Sequence, residues 1–247
     1  MNGLKLLSII VFLSLNSLCF SQWKECSKQE LSDVIRSIDQ KAAKSKSFAY
    51  TAKQFFFNDS ISVDTVYKTD FSMSFKSKKE LLNIEQMGVI LVQDSLIQVR
   101  CDSVSKQLFV QNIDSNLINT GITRGFDAFM KSNTTVSKML RGSTTIYKLK
   151  FAENTKYAYL ELWVNNKDLV VSKYILYSGK ELYDDSQETD TWLKPRMEVV
   201  IDKYLFAEKV NEVKSKNISD FFADKSYLTP SSKYANYEVI DLRSNSK

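Results

Sequence analysis

Few residues in this chain could do chemistry, and one absence narrows the field further. No histidine occurs in its 247 residues. That removes Ser–His and Cys–His nucleophilic pairs and every histidine-built zinc centre. Carboxylates and lysines remain, but no constellation of them points to a reaction, so the expectation is a protein that is not an enzyme and needs no cofactor. "DDSQETD" (Asp184 to Asp190) groups acidic side chains. Lacking the glycine and ligand spacing of a calcium loop, it reads as a solvated loop, and no metal site is expected. "KSKK" sets Lys76, Lys78 and Lys79 between two strand-like segments, where they face solvent, an acidic partner or anionic head groups. Cys26 and Cys101 can close a disulfide if the chain is exported, or sit as two buried thiols.

Export is what the first residues indicate. Lys5 precedes an apolar run from Leu6 to Leu13, continued by Leu15 and Leu18, and "CFSQ" puts Cys19 and Ser21 at the −3 and −1 positions for cleavage before Gln22. Residues 1–21 therefore read as a signal peptide. The run falls short of the ~20 apolar residues a membrane span needs, and bulky Leu18 before Cys19 argues against lipid attachment there. Residues 22–247 are expected to form one domain. The formal charge of +5 drops to about +4 once Lys5 is gone, too mild to indicate a nucleic-acid partner. Aromatic residues at 12%, with only two prolines and six glycines, favour a strand-rich fold over disorder.

The elements that must position any site can be read from periodicity. Ser27 and Glu30 have capping-box spacing, and Leu31, Val34, Ile35, Ile38 and Ala42 then recur at helical intervals, which predicts an amphipathic helix lying on a sheet. "SFAYTAKQFFF" reads as a strand with a parity change between Tyr50 and Phe55 that suggests a bulge. "DFSMSFKSKKELLNIEQ" reads as a hairpin. Pairing Phe75 with Leu82 puts Phe71, Met73, Phe75, Leu82 and Ile84 on one face, either ordinary core or an adaptable apolar wall. "GVILVQDSLIQVRCDSVSKQLFVQN" gives three short strands, with Val99 and Phe109 expected to share a face across the turn from Asp102 to Lys106. Residues 114–142 suit one or two short helices, with Phe126, Phe129 and Met130 at helical spacing and Met139 and Leu140 also apolar. Strands resume at "STTIYKLKF", "YAYLELWVNNKDLVVSKYILY", "LKPRMEVVIDKYLF" and "YEVIDL". The count is about ten, enough that a flat antiparallel sheet should curl.

The hairpin from Tyr157 to Lys180 sets two apolar runs on either side of a polar turn. Pairing Val164 with Leu169 predicts an aliphatic inner face of Ala158, Leu160, Leu162, Val164, Leu169, Val171 and Ile175, spoiled by Lys173. Tyr157, Tyr159, Glu161, Trp163, Val170, Ser172, Tyr174 and Leu176 would form a damp outer wall.

Several of these segments, in this order, resemble the periplasmic outer-membrane lipoprotein carriers of the LolA family. The terminal "FFADKSYLTPSSKYANYEVIDLR" is similar to the family's closing loop and strand, "ILVQDSLIQVRCDSVSKQLFVQN" to its central strands, and "YLELWVNNKDLVVSKYILY" with "KPRMEVVIDKYLF" to its later ones. The chain departs from the family where Ser95 replaces a glycine and Val99 and Cys101 replace an aromatic pair. Lys78 falls where the family's lid-contacting arginine stands, and lysine lacks the planar fork of arginine. The resemblance implies a mainly β, α+β fold, a curled antiparallel half-barrel covered by an N-terminal helix and short middle helices. It implies a monomer in the periplasm that binds lipoprotein acyl chains in an apolar cavity, with only transient membrane contact. Such a carrier takes cargo from an inner-membrane, ATP-driven extraction complex and delivers it to the outer membrane. The expected cavity residues are Phe71, Met73, Phe75, Leu82, Ile84, Val99, Phe109, Leu160, Leu162 and Val164. An exported lipid- or lipoprotein-sensing protein of the same fold is the alternative.

Overall fold

The computed structural model describes residues 22–45, 47–76, 81–114, 130, 135–153, 155–184 and 191–243. The signal-peptide reading, Lys78, Phe126, Phe129 and most of the acidic loop lie outside them.

Ser27 starts the helix as its spacing predicts. The Glu30 N–H donates to Ser27 Oγ at 3.1 Å, and α1 runs from Lys28 to Ser45 with Leu31, Ile35, Ile38 and Ala42 buried on one stripe. Only half of the capping box forms there. The Glu30 carboxylate accepts from Lys138 Nζ at 2.5 Å, tying the helix start to the sheet. No described helix is long and apolar enough to cross a membrane.

The strands are β1 (Lys24–Glu25), β2 (Ser47–Phe57), β3 (Tyr67–Lys76), β4 (Leu81–Gln86), β5 (Val89–Gln93), β6 (Ile97–Asp102), β7 (Gln107–Asn112), β8 (Thr135–Arg141) and β9 (Thr144–Lys150), followed by β10 (Tyr157–Asn165), β11 (Val170–Ser178), β12 (Leu182–Asp184), β13 (Thr191–Leu193), β14 (Arg196–Phe206) and β15 (Glu238–Asp241). Thirteen of them form one curled, unclosed sheet in the order β1-β8-β9-β10-β11-β14-β2-β3-β4-β5-β6-β7-β15, while β12 and β13 pair separately. Every pairing is antiparallel except the last, where β15 runs parallel to β7. The β4–β5 hairpin turns on Met87 and Gly88, both at positive φ, a conformation a glycine adopts without steric cost.

Three expectations change here. Met139 and Leu140 belong to strand β8, not to a helix; residues 115–129 and 131–134 lie outside the described residues. The bulge read into β2 sits on its partner: β2 pairs with β3 without interruption from Ser47 to Phe56, and the register against β14 shifts between Ile201 and Lys203. The β10–β11 hairpin pairs Val164 with Val171 and Trp163 with Lys173, shifting register between them, rather than Val164 with Leu169. Leu169 instead lies in the turn at φ 48°.

That last shift has a plain physical cause. An unbroken strand would point Lys173 into the core with Val171, at the cost of burying an ammonium. The bulge turns Lys173 outward, where Nζ meets Glu198 Oε2 at 2.5 Å. It also reverses the facing of the rest of the strand: Tyr174 and Leu176 pack against the inner core, and Ile175 lies outside opposite Glu161. A second shift brings Tyr157 inward too.

Two faces result, each with its own cover. Leu31, Ile35 and Ile38 of α1 pack on Val136, Tyr147, Leu149, Leu160, Leu162, Val164 and Val171. On the opposite face, Leu81, Val92, Val99, Cys101, Leu108 and Val110 pack beneath Ile218, Phe221, Phe222 and Tyr234 of the C-terminal segment.

Candidate functional site

The β3–β4 hairpin pairs Phe75 with Leu82 and Met73 with Ile84. Residues alternate across a strand, so Phe71, Met73 and Phe75 share the helix side with Leu82 and Ile84. The register extends the wall in both directions. Tyr50 stands opposite Met73 and Tyr204, Phe48 opposite Phe75 and Phe206, and Leu91 opposite Ile84. These residues form a cluster around buried Phe48, Met73 and Leu82, with Tyr50, Phe71, Phe75, Ile84, Leu91 and Phe206 half-buried.

The rings make a continuous surface. Tyr50 stacks on Phe71 with centroids 5.4 Å apart, Phe48 meets Phe75 at 6.0 Å and Tyr50 meets Tyr204 at 5.6 Å. Burial pushes the Tyr50, Tyr174 and Tyr204 hydroxyls above the ordinary phenol range. They stay neutral at physiological pH, and the wall carries no charge from them. Tyr204 Oη is buried with no hydrogen-bond partner.

The helix meets this wall differently from the first core. About two turns of α1 insert Leu31, Ile35 and Ile38 over β8–β11, but its buried contribution over the aromatic wall is Ala42. That methyl group is the one buried side chain that α1 sets against these rings. The arrangement provides an adaptable apolar surface, with Met73 able to conform to an irregular ligand. Among the described residues no group of three or more Cys, Asp or Glu side chains could hold a metal.

Other residues expected at the site fall elsewhere. Leu160, Leu162 and Val164 share the helix-side face but lie fully buried beneath α1, in the structural core. Val99 does not share a face with Phe109: it pairs with Val110, whereas Phe109 pairs with Arg100. Val99 is sealed under the C-terminal segment, and Phe109 lies on the helix side with the Arg100 guanidinium 4.9 Å from its ring. Of the two readings left open for the cysteines, the structure has free thiols, with Cys101 buried and Cys26 half-buried. Cys26 lies beside the α1 core and Cys101 beneath the opposite cover, in clusters near the two ends of the sheet. Lys78, the expected lid contact, is outside the described residues.

Phe48, Tyr50, Leu91 and Phe206 join the wall without having been expected there from sequence. The alternation of Phe48 and Tyr50 could have found two of them. Leu91 sits in "VILVQ", an apolar run whose periodicity distinguishes no face.

No family model matches the chain, and no curated protein matches it by sequence. Solved structures do. An uncharacterized conserved protein from Thermus thermophilus is similar at 8% identity and a TM-score of 0.45, over 86% of this chain and 99% of that one. A LolA superfamily protein from Nitrosomonas europaea is similar at 11% identity and a TM-score of 0.29, over 75% and 97%. A putative outer membrane lipoprotein-sorting protein domain from Vibrio parahaemolyticus is similar at 9% identity and 0.29, over 71% and 92%.

Proposed function

We propose that the chain is a periplasmic lipoprotein carrier, binding acyl chains against the wall of Phe71, Met73, Phe75, Ile84 and Leu91 and moving them from the inner to the outer membrane. The observation supporting this reading is the aromatic and aliphatic wall on the helix-side face, where α1 contributes only the methyl group of Ala42 to the buried cluster. An acyl chain entering there adds the apolar contact the helix does not supply. Each methylene removed from water contributes about 0.8 kcal/mol, so ten contribute roughly 8 kcal/mol before the costs of ordering. Binding of that kind needs no catalytic group. In this reading the inner-membrane, ATP-driven extraction complex hands over the cargo, and the carrier touches each membrane only in passing.

The test is transfer. Purified protein is mixed with inner membranes bearing labelled lipoprotein, separated from them, and presented to outer membranes. A carrier holds the label in solution and then loses it to the outer membrane. Label held but never released would identify a sensor, and no label in solution would remove the carrier reading altogether.

A further inference from the structure

The helix-side face changes character where the aromatic wall ends. Along β2 and β3, the register that pairs Tyr50 with Met73 and Ala52 with Phe71 goes on to pair Gln54 with Thr69 and Phe56 with Tyr67. On β4, Gln86 stands opposite Phe71, next after Ile84 on the same face. Alternation therefore keeps Gln54, Thr69 and Gln86 on the side of the wall. They form a polar margin beside it, with the Phe56 and Tyr67 rings beyond, centroids 5.8 Å apart. Gln54 is 6% exposed, so its amide takes its partners from the protein. Its Oε1 accepts from Gln86 Nε2 at 2.6 Å, and its Nε2 donates to Met197 Sδ, a weak acceptor. Gln86 is half-buried. One N–H of its amide is committed to Gln54, which holds the group in place and leaves the second N–H for a ligand.

The margin is polar without being charged. Among the described residues, none that β2, β3 or β4 sets on this face is ionised at neutral pH. That chemistry selects a ligand. An acyl chain laid on the wall brings its linkage carbonyl to the margin, and a carbonyl drawn away from water costs free energy unless a donor meets it. A neutral amide supplies that donor, whereas a bare hydrocarbon has no use for one. We infer that Gln86 Nε2 donates to the linkage carbonyl of an ester- or amide-linked acyl chain, with Gln54 as the residue that positions it. The inference rests on the acyl-chain reading of the wall and narrows its ligand class to linked acyl chains.

Dioctanoylglycerol and its diether analogue, dioctylglycerol, have chains of equal length and no charge, and differ in the linkage carbonyls. Each is titrated into the full chain against a bound apolar fluorescent probe. The wild type should bind the diester on the order of tenfold more tightly than the diether. Gln86→Met keeps the length of the side chain and should remove that preference by weakening the diester alone. Gln54→Met unties Gln86 and should narrow the preference without changing affinity for the diether. Equal affinity of the wild type for the two lipids, or an equal loss for both in Gln86→Met, would overturn the inference and leave the wall standing. Binding of neither lipid would overturn the wall itself, and the inference with it.

Discussion

Cys101 shows how far a single side chain can depend on its cover. It is 1% exposed beneath the C-terminal segment. Burial, reinforced by the charge of Asp102, pushes its thiol from an ordinary value near 9 up to about 11. The native state therefore holds the proton that the unfolded chain releases first. Below pH 9 the thiol is neutral in both states, and above it ionisation favours the unfolded chain. Denaturant unfolding at pH 8 and pH 10 should show a loss of stability in the wild type that is smaller in Cys101→Ala. An equal loss in both would mean the thiol is not held neutral by burial. Lys173 illustrates the same rule in the opposite direction. A charge that cannot be buried was turned outward by a bulge, and Glu198 receives it.

At the scale of elements, α1 commits three buried side chains, Leu31, Ile35 and Ile38, to the inner core. Leu31 is fully buried between the helix and β8–β11. Leu31→Ala should lower unfolding free energy by about 2–5 kcal/mol, through lost transfer energy and a residual cavity. Denaturant titration measures this, and a change below about 0.5 kcal/mol, the range of ordinary surface substitutions, would mean the helix is not anchored there. This helix was legible from sequence because one short stretch holds both its cap and its 3.6-residue stripe. The β3–β4 hairpin was equally legible, since Phe71, Met73 and Phe75 alternate strictly with polar residues. The β10–β11 register was not. Its bulge answers the cost of burying Lys173, which depends on a partner, Glu198, that stands on another strand. Val99 failed for a related reason. "IQVRC" alternates well enough to predict a strand, but alternation does not say which face the C-terminal segment covers: Val99 lies beneath it, while Arg100 and Phe109 stand on the other face.

The whole molecule is a sheet with two unlike sides. Thirteen strands curl without closing, and short strands stand at both ends: β1 with two residues and β15 with four. Short edges limit the unpaired backbone offered to other chains. One side is closed by the C-terminal segment through Phe221, Phe222 and Tyr234, and the other by α1. Along α1 the first core is structural, and the second cluster is the wall proposed to bind acyl chains. Site-specific photo-cross-linking tests that division most directly. A photoreactive amino acid is placed at Phe71 or Ile84 on the helix side, and at Val99 or Val110 on the opposite face, in protein loaded with a labelled lipoprotein. Acyl-chain adducts are predicted from Phe71 and Ile84 and none from Val99 or Val110. Equal labelling of both faces, or labelling of Val99 and Val110 alone, would contradict a binding wall beneath the end of α1.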